Sequence, residues 1–406
     1  MAAVATVALV PACVADSTAP DDERAGPPAT SSASPSEPVT VEPAGRGTIV
    51  MWGRNAVHAA TVDDVRALDG VLAAAFTRSD TVGLVGTRAT DGSAVTALEP
   101  GWQIPVEVAA VDPADHVAIM DDLDAAKEVV TGLQPGEALL SQMSSELRGI
   151  GTGGRVDLAG LADLLVVGVV PDGVVGRAEV VIHQADADAA GLEPDGSIIV
   201  RHQRDRGTPT DDLVTSIGQL FPEDAAVRVF DADADTEPRR APLILSLPQV
   251  KERFGEFAYR PQPGQRELVP DRAFVDGNIV SADVPLLGSV LCHRLIIDDL
   301  RAALQQIVDG GFGDDIDPSR YAGCFYPRRI STDGASLSRH SWGIAIDINV
   351  DLSLPGLGPP PREEIVDIFG RHGFRWGGDF LHPDNHHFEW VGEAAATRPT
   401  PQDSPT

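Results

Sequence analysis

A β-strand lying on a core is indicated by the alternation of apolar and small or polar residues in 344–350. Four apolar side chains share one face of this segment: Ile344, Ile346, Ile348 and Val350. With a period of two, the opposite face carries Ala345, Asp347 and Asn349. We therefore expect an open surface above this face of the strand, with small side chains and a single carboxylate.

A second short strand is indicated near the end of the chain, where aromatic and polar residues alternate. Phe388 and Trp390 are expected to face the core, and His386 goes with them. His387 and Glu389 then share the opposite face.

The first half of the chain mixes strand-like and helix-like patterns. Three runs rich in β-branched residues are expected to be strands: 106–111, 164–170 and 178–182. Residues 61–72 have a helical pattern with Thr61 as its N-cap, and 136–147 are also expected to be helical. We find no internal repeat in the sequence and expect a mixed α/β domain.

Two amphipathic helices are expected in the last third of the chain. One covers 296–307 and is closed by Gly310 and Gly311, and the other covers 361–369 with proline in its first turn. Both are interpreted as packing elements.

Changes in composition divide the chain into regions. Residues 14–47 have too few large apolar side chains to fold, and an acidic run of small residues at 231–238 ends any regular element. We expect a signal-like segment at 1–13, a disordered linker at 14–47, a mixed α/β domain at 48–230, an acidic linker at 231–241, a second domain with the informative motifs at 242–393 and a disordered tail at 394–406.

The charge balance argues against one class of partner. The chain has 61 acidic and 31 basic side chains, a formal charge of -30, and a hydrophobic content of 43% that is enough for two cores. The negative charge repels phosphate backbones and anionic lipid headgroups. We expect no nucleic-acid partner.

The three cysteines point to an exported protein. The small apolar run 2–12 before Cys13 resembles the cleavage box of a bacterial lipoprotein, in which the cysteine is lipidated. We expect the protein either to be held in the cell envelope, on the outer face of the cytoplasmic membrane and only through this anchor, or to be secreted. The alternative for this segment is a disordered alanine-rich tail. Cys292 and Cys324 remain as an even pair, which in an oxidising compartment predicts a disulfide.

Two histidines and an aspartate form a candidate metal-ligand set. His340 lies just upstream of the first strand, where its imidazole can reach Asp347, and the periodicity selects His387 from the second strand. Imidazole and carboxylate suit zinc, which binds such ligands at ~2.0 to 2.2 Å. Three protein ligands leave the open fourth position of a catalytic zinc, where a water molecule has a pKa near ~7. We predict one zinc ion per chain.

Hydrolysis by a metal-bound water also needs a base for the proton of water and a positive charge for the developing oxyanion. Asp384, three residues before His387, is the favoured base, and Glu389 is the second candidate. Either Arg328 or Arg329 could supply the positive charge.

These residues resemble the zinc D-Ala-D-Ala carboxypeptidase and L-Ala-D-Glu endopeptidase family of bacterial cell walls. The family signature is Ser-x-His-x-x-Gly-x-Ala-x-Asp followed by acid-x-x-His. It is matched here by Ser338, His340, Gly343, Ala345 and Asp347, and then by Asp384 and His387. The resemblance covers about 242–392 and includes the segments 325–328 and 375–379.

The resemblance implies roles, a fold and a substrate. His340, Asp347 and His387 would bind zinc, Asp384 would be the general base, and Arg328 would polarise the scissile carbonyl. Arg328 and Ser338 are also expected to contact the substrate. The implied fold is α+β: a small antiparallel sheet carries the zinc and is flanked by helices, preceded by the separate mixed α/β domain.

The function that follows is a zinc metallopeptidase that acts on peptidoglycan stem peptides as a D-Ala-D-Ala carboxypeptidase. Two alternatives remain open: an L-Ala-D-Glu endopeptidase of the same family, and a non-catalytic module that binds cell-wall peptide.

The remaining motifs receive no catalytic role. Residues 135–141 and 166–170 resemble the extracytoplasmic domains of ABC-type permeases, and no chemistry is assigned to that region. The extra histidines His382 and His386 are expected to be solvent-exposed loop residues, and His293 and His372 lie outside the two motifs.

Overall fold

The structure is a computed structural model of the chain. It describes residues 45–52, 57–120, 124–176, 178–192, 196–204, 210–221, 226–230, 244–330, 336–351, 358–380 and 383–392. The chain divides into two units, Met1–Pro43 and Ala44–Thr406, and every described residue belongs to the second. No helix among these residues is long and apolar enough to cross a membrane.

The first part of the described chain contains most of the strands. Its elements are β1 (Gly45–Trp52), α1 (Val62–Arg66), β2 (Val71–Arg88), β3 (Ala94–Ala97), β4 (Ile104–Val111), α2 (Pro113–Ile119), α3 (Asp124–Thr131), β5 (Glu137–Ser141), α4 (Gln142–Arg148), β6 (Arg155–Leu158), β7 (Leu161–Val170), α5 (Asp172–Val175), β8 (Val180–His183), α6 (Ala187–Ala190), β9 (Ser197–Arg204), α7 (Thr210–Gly218) and β10 (Ala226–Phe230).

The second part contains shorter strands and the longest helix. Its elements are α8 (Leu247–Phe254), β11 (Tyr259–Pro261), β12 (Leu268–Pro270), α9 (Arg272–Asn278), β13 (Ile279–Val284), β14 (Gly288–His293), α10 (Ile297–Asp309), β15 (Ala345–Asp347), α11 (Glu363–Arg371), β16 (Phe374–Trp376) and β17 (His387–Trp390).

One large mixed sheet organises the first part. Its strand order is β10-β1-β9-β2-β4-β8-β5-β7-β6, with β3 paired to β2. Strand β2 also pairs with β6, so six strands form a closed circuit from β2 through β4, β8, β5, β7 and β6. The pairs β4–β8 and β5–β7 are parallel. The interior is filled by side chains such as Val106, Leu140 and Val166, which are almost fully buried.

Two helical expectations in this part are wrong. Residues 136–147 divide into strand β5 and helix α4, because Leu139 and Leu140 are both buried on successive positions, as in a strand covered on both faces. The helix after Thr61 ends at Arg66, and Val71 already belongs to β2. The Thr61 hydroxyl donates to the carbonyl of His58 and does not cap the helix.

The second part forms small antiparallel sheets packed with helices. One pairs β11 with β12, one pairs β13 with β14, and one has the order β15-β17-β16. Helix α10 packs on α11, and one apolar core includes Leu300, Leu304, Phe369, Phe374 and Phe388. The expected α+β class, with a small antiparallel sheet flanked by helices after a mixed α/β region, is confirmed.

Strand β15 is shorter than the alternation predicts. Ile344, Ile346 and Ile348 are buried as expected, but the strand ends at Asp347. Asn349 has a φ of 54°, in the left-handed region, which interrupts an extended chain.

Candidate metal site

His340 lies on a 3-10 turn, Arg339–Trp342, that leads into β15. The Ser338 hydroxyl accepts a hydrogen bond from the His340 backbone N–H at 3.4 Å. Gly343 ends the turn with a φ of 67°, and a Cβ on it would lie 2.8 Å from the backbone nitrogen of His293. A larger residue at Gly343 would be strained and would clash, so the direction of His340 depends on this glycine.

Asp347 and His387 are brought together by sheet register. They lie directly opposite each other on the antiparallel strands β15 and β17. Opposite residues on such a pair have Cβ atoms about 4.5 to 5.5 Å apart, which allows their side chains to meet.

The Asp347 carboxylate lies between two imidazole rings. Its Oδ2 is 3.1 Å from Nε2 of His340, and its Oδ1 is 2.9 Å from Nδ1 of His387. One ligand atom from each of the three residues lies within 4.8 Å of the others. In the described part of the chain, no other group of three or more His, Cys, Asp or Glu side chains has this arrangement.

The donor set fits a metal ion. Nδ1 of His340 lies 2.9 Å from the carbonyl oxygen of Cys324, so this nitrogen donates its proton there and Nε2 carries a lone pair. Nε2 is buried and makes no hydrogen bond of acceptable geometry to another described residue. A buried lone pair facing a carboxylate and a second imidazole is the arrangement that zinc would satisfy.

The protonation of the group follows from its contacts. Burial alone would raise the pKa of Asp347, but its close contacts with His340 and His387 hold that pKa well below its usual range. Burial would lower the pKa of His387, whereas its contacts with Asp347 and Glu389 raise it to about 10. The metal-free chain therefore holds a protonated His387 beside an ionised Asp347, and zinc must displace that proton to bind.

Glu389 contacts the outer side of the His387 ring. Its Oε2 lies 3.7 Å from Nε2 of His387, on the side of the ring opposite to Asp347. Its Oε1 lies 3.2 Å from Nε of Arg339, whose Nη2 donates to the carbonyl of Leu245. Glu389 is thus a buried carboxylate paired with Arg339 beside the His387 ring, which is a poor position for a catalytic base.

Asp384 lies on the turn just before the second histidine. Its backbone carbonyl accepts from the His387 N–H at 3.2 Å, and its Oδ1 accepts from the His386 N–H at 3.3 Å. The N–H of Asp384 donates to the carbonyl of Gly377, where a Cβ would lie 2.6 Å from the Asp384 oxygen. The turn is therefore fixed, and the half-buried Asp384 carboxylate is held by the N–H of His386, the residue before His387.

Arg328 lies within electrostatic range of the same group. Burial lowers the pKa of Arg328, while the negative charges of Asp347 and Asp384 act in the opposite direction. Its guanidinium lies 5.6 Å from the centre of the Tyr326 ring. Arg329, the other candidate, has a buried Nε that makes no hydrogen bond to a described residue.

The predicted disulfide is present. Cys292 in β14 is bonded to Cys324, with Cα atoms 5.3 Å apart, and both side chains are buried. Because the Cys324 carbonyl accepts from His340, the bond fixes the segment that orients this histidine. Cys13 lies outside the described residues.

His386 and His293, two of the four other histidines within residues 242–393, are buried. His386 is 3% exposed, which corrects the expectation of a solvent-exposed loop residue; it packs against Gly358, where a Cβ would lie 2.1 Å from its Nε2. His293 is fully buried and its Nε2 lies 3.0 Å from the carbonyl of Phe254. His372 contacts Gln306, and His382 lies outside the described residues.

Two residues near the site were not found from the sequence. The Tyr321 hydroxyl is buried without a hydrogen bond to another described residue, and its pKa is raised by burial and by the charge of Asp347. Arg339 pairs with Glu389 behind His387. Arg339 stands between the signature residues Ser338 and His340, which was the available signal; Tyr321 has no pattern that distinguishes it from a core aromatic.

One segment of the chain matches the model of a known protein family. Residues 332–390 match the family model described as D-alanyl-D-alanine carboxypeptidase. The match includes His340, Asp347 and His387 and begins after Arg328. At this coarse level the segment is similar to peptidases of that family, and these have a metal-dependent chemistry that the His-Asp-His group could support. No curated protein sequence matches the chain.

Two solved structures are similar over part of the chain. The periplasmic region of MacB from Actinobacillus actinomycetemcomitans has 13% identity and a TM-score of 0.31, and covers 45% of this chain and 87% of its own. The extracellular domain of the noncanonic ABC-type transporter YknZ from Gram-positive bacteria has 11% identity and a TM-score of 0.31, and covers 45% of this chain and 100% of its own. At these TM-scores, neither structure defines the fold of this chain.

Proposed function

We propose that this chain is a zinc-dependent peptidase that removes the terminal D-Ala from peptidoglycan stem peptides. The observation that carries the proposal is the group of His340 Nε2, the Asp347 carboxylate and His387 Nδ1, whose ligand atoms lie within 4.8 Å of one another. The match of residues 332–390 to D-alanyl-D-alanine carboxypeptidases supports the peptide substrate.

The three ligands would hold zinc, which when bound polarises the scissile carbonyl and lowers the pKa of water to about 7. Asp384 accepts a proton from the attacking water and passes it to the leaving amine of D-Ala, so that the carbon–nitrogen bond breaks as the new carbon–oxygen bond is retained. The Arg328 guanidinium stabilises the negative charge that develops on the carbonyl oxygen. Asp384 is preferred as the base over Glu389, because Glu389 is paired with Arg339 on the outer side of the ring.

The site of action is the cell envelope. The segment before Cys13 resembles a lipoprotein cleavage box, so we expect lipidation of this cysteine and anchoring to the outer face of the cytoplasmic membrane. Membrane fractionation tests this: the intact chain partitions with membranes, and a Cys13→Ala form does not. Equal partitioning of the two forms excludes the lipid anchor.

The full chain should be incubated with stem pentapeptide, with zinc or with a chelator, and the products identified by mass. Zinc-dependent loss of one terminal D-Ala is the expected result. A zinc-dependent cut between L-Ala and D-Glu would replace the carboxypeptidase by the endopeptidase. Zinc binding without any product would favour a module that only binds cell-wall peptide.

A further inference from the structure

A buried cluster of four charged side chains joins the large sheet to the part of the chain that carries the metal site. Glu179 precedes β8 and Arg148 ends α4, whereas Lys251 lies in α8 and Glu256 follows it. The side chains of Glu179 and Lys251 are fully buried, that of Arg148 is 3% exposed, and that of Glu256 is 25% exposed.

The cluster is balanced in charge and closely bonded. Lys251 Nζ lies 2.6 Å from Oε1 of Glu179 and 3.4 Å from Oε2 of Glu256. Arg148 Nη2 lies 3.3 Å from Oε2 of Glu179, and its Nη1 donates to Oε1 of Glu256 at 2.6 Å. Two positive and two negative groups thus neutralise each other in a buried interface. Removal of one charge would leave an uncompensated partner in a low-dielectric environment.

Glu179 is held firmly on the side of the large sheet. Its N–H donates to the carbonyl of Glu107 at 2.7 Å, and its own carbonyl accepts from Ser141 at 3.1 Å. Its Oε1 accepts from the Glu107 N–H at 3.3 Å. The sheet therefore presents a carboxylate at a fixed position to Lys251.

The part of the cluster formed by Lys251 and Glu256 is next to contacts with the turn that carries His340 and the strand that begins at His387. Gly255, next to Glu256, accepts a hydrogen bond from the indole Nε1 of Trp342 at 3.1 Å. Trp342 is fully buried and belongs to the same short turn as His340. Phe254, at the end of α8, packs edge-to-face on Trp390 of β17, the strand that begins at His387, with ring centres 5.4 Å apart.

Two further contacts connect the region of the large sheet with the part of the chain that carries the metal site. Ser336 donates to Oδ1 of Asp80 in β2 at 2.9 Å, just before the segment that carries His340. Gln103 and Tyr259 exchange backbone hydrogen bonds of 2.9 and 2.7 Å.

We infer that the large sheet positions the His340 turn and the His387 strand through the Glu179–Lys251–Arg148–Glu256 cluster and the C-terminal end of α8. Glu179 is then a positioning residue that acts through Gly255 and Trp342. The region of residues 45–230, which has no assigned chemistry, is on this account a structural part of the metal site. The inference does not depend on the proposed peptidase activity.

The test compares the full chain with a Glu179→Gln variant by hydrogen–deuterium exchange of peptides covering 338–347, without metal and well below the unfolding temperature. We expect exchange there to be at least about tenfold faster in the variant, and the zinc dissociation constant to rise by about 10- to 100-fold, as for residues that support metal ligands indirectly. Asp163→Asn is the matched control, because Asp163 pairs with Arg88 and Arg155 within the sheet region.

A second variant distinguishes an electrostatic role of Glu179 from a general destabilisation of the fold. The double variant Glu179→Gln/Lys251→Met removes one charge of each sign, so it should restore both readouts to within about threefold of the original chain. Glu256→Gln repeats the test with a partly exposed partner if Glu179→Gln does not fold.

The inference is overturned if Glu256→Gln and any folded Glu179→Gln lower the unfolding temperature while exchange at 338–347 and zinc affinity stay unchanged. It is also overturned if Asp163→Asn changes both readouts to the same extent. Because exchange is measured without zinc or substrate, failure to cleave stem peptide would count against the proposed function alone.

Discussion

Asp347 and His387 lie opposite each other on β15 and β17, with Oδ1 and Nδ1 2.9 Å apart. The sheet register therefore places a carboxylate and an imidazole in contact before any metal binds. With His340 on the other carboxylate oxygen, Asp347 is the centre of the group.

Replacing Asp347 by Asn should abolish tight zinc binding. The change removes the only anionic ligand of the three and leaves an amide, which is a weak ligand for zinc. We expect the dissociation constant, measured by competition with a chromophoric chelator, to rise by at least about 100-fold, beyond the usual effect of residues outside the ligand set. Asp351→Asn, the same chemical change four residues later, is the control; comparable losses in both variants would contradict the assignment.

Asp384 and Glu389 should respond differently to loss of charge. In Asp384→Asn we expect turnover of stem peptide to fall by about 10²- to 10⁴-fold, the usual contribution of a general base, with zinc still bound. In Glu389→Gln we expect zinc affinity to fall by about 10- to 100-fold, because the support of His387 is weakened. Turnover retained in Asp384→Asn but lost in zinc-loaded Glu389→Gln would make Glu389 the base.

The disulfide should stabilise the fold and the His340 segment together. Cys292 and Cys324 are separated by 32 residues, and the chain-entropy relation gives about 4 kcal/mol for a closed loop of this size. Cys292→Ala/Cys324→Ala should lose about that much free energy of unfolding in urea titrations. Cys13→Ala leaves this bond intact and should show no loss; an equally stable double variant would contradict the prediction.

His293 should make the fold sensitive to acid. Burial is the main cause that lowers the pKa of His293 to about 4 in the folded chain, against about 6.5 when unfolded. Because the pKa of His293 is lower in the folded chain, the contribution of neutral His293 to the free energy of unfolding is complete above pH ~6.5. This contribution decreases by about 3 kcal/mol as the pH falls toward ~4. Unfolding free energies of the chain and of His293→Gln, measured across this range, should show a smaller pH slope in the variant; equal slopes would exclude His293 as the cause.

Local periodicity predicted that Asp347 and His387 come together, because both residues follow strand alternation. His387 and Glu389 do share a face, and Ile344, Ile346 and Ile348 are buried. The end of β15 was not predictable in this way, since the positive φ of Asn349 is a backbone property that hydrophobic spacing does not record.

Long-range packing accounts for the other differences. Gly358, 28 positions earlier, leaves space for the buried ring of His386. The alternation placed His386 on the side of Phe388 and Trp390, but no local pattern records the contact with Gly358. Residues 136–147 have an apolar run that is compatible with a helix, and only the neighbouring strands β7 and β8 make its first half a strand. The charge cluster around Glu179 joins residues up to 108 positions apart.

The metal content of the purified full chain is the most direct test of the central claim. After dialysis against zinc and removal of the free metal, elemental analysis should give about one zinc per chain, and His340→Ala and His387→Ala should each retain far less. A chain without zinc, or variants with the same zinc content as the original, would contradict the assignment of His340, Asp347 and His387 as the metal site.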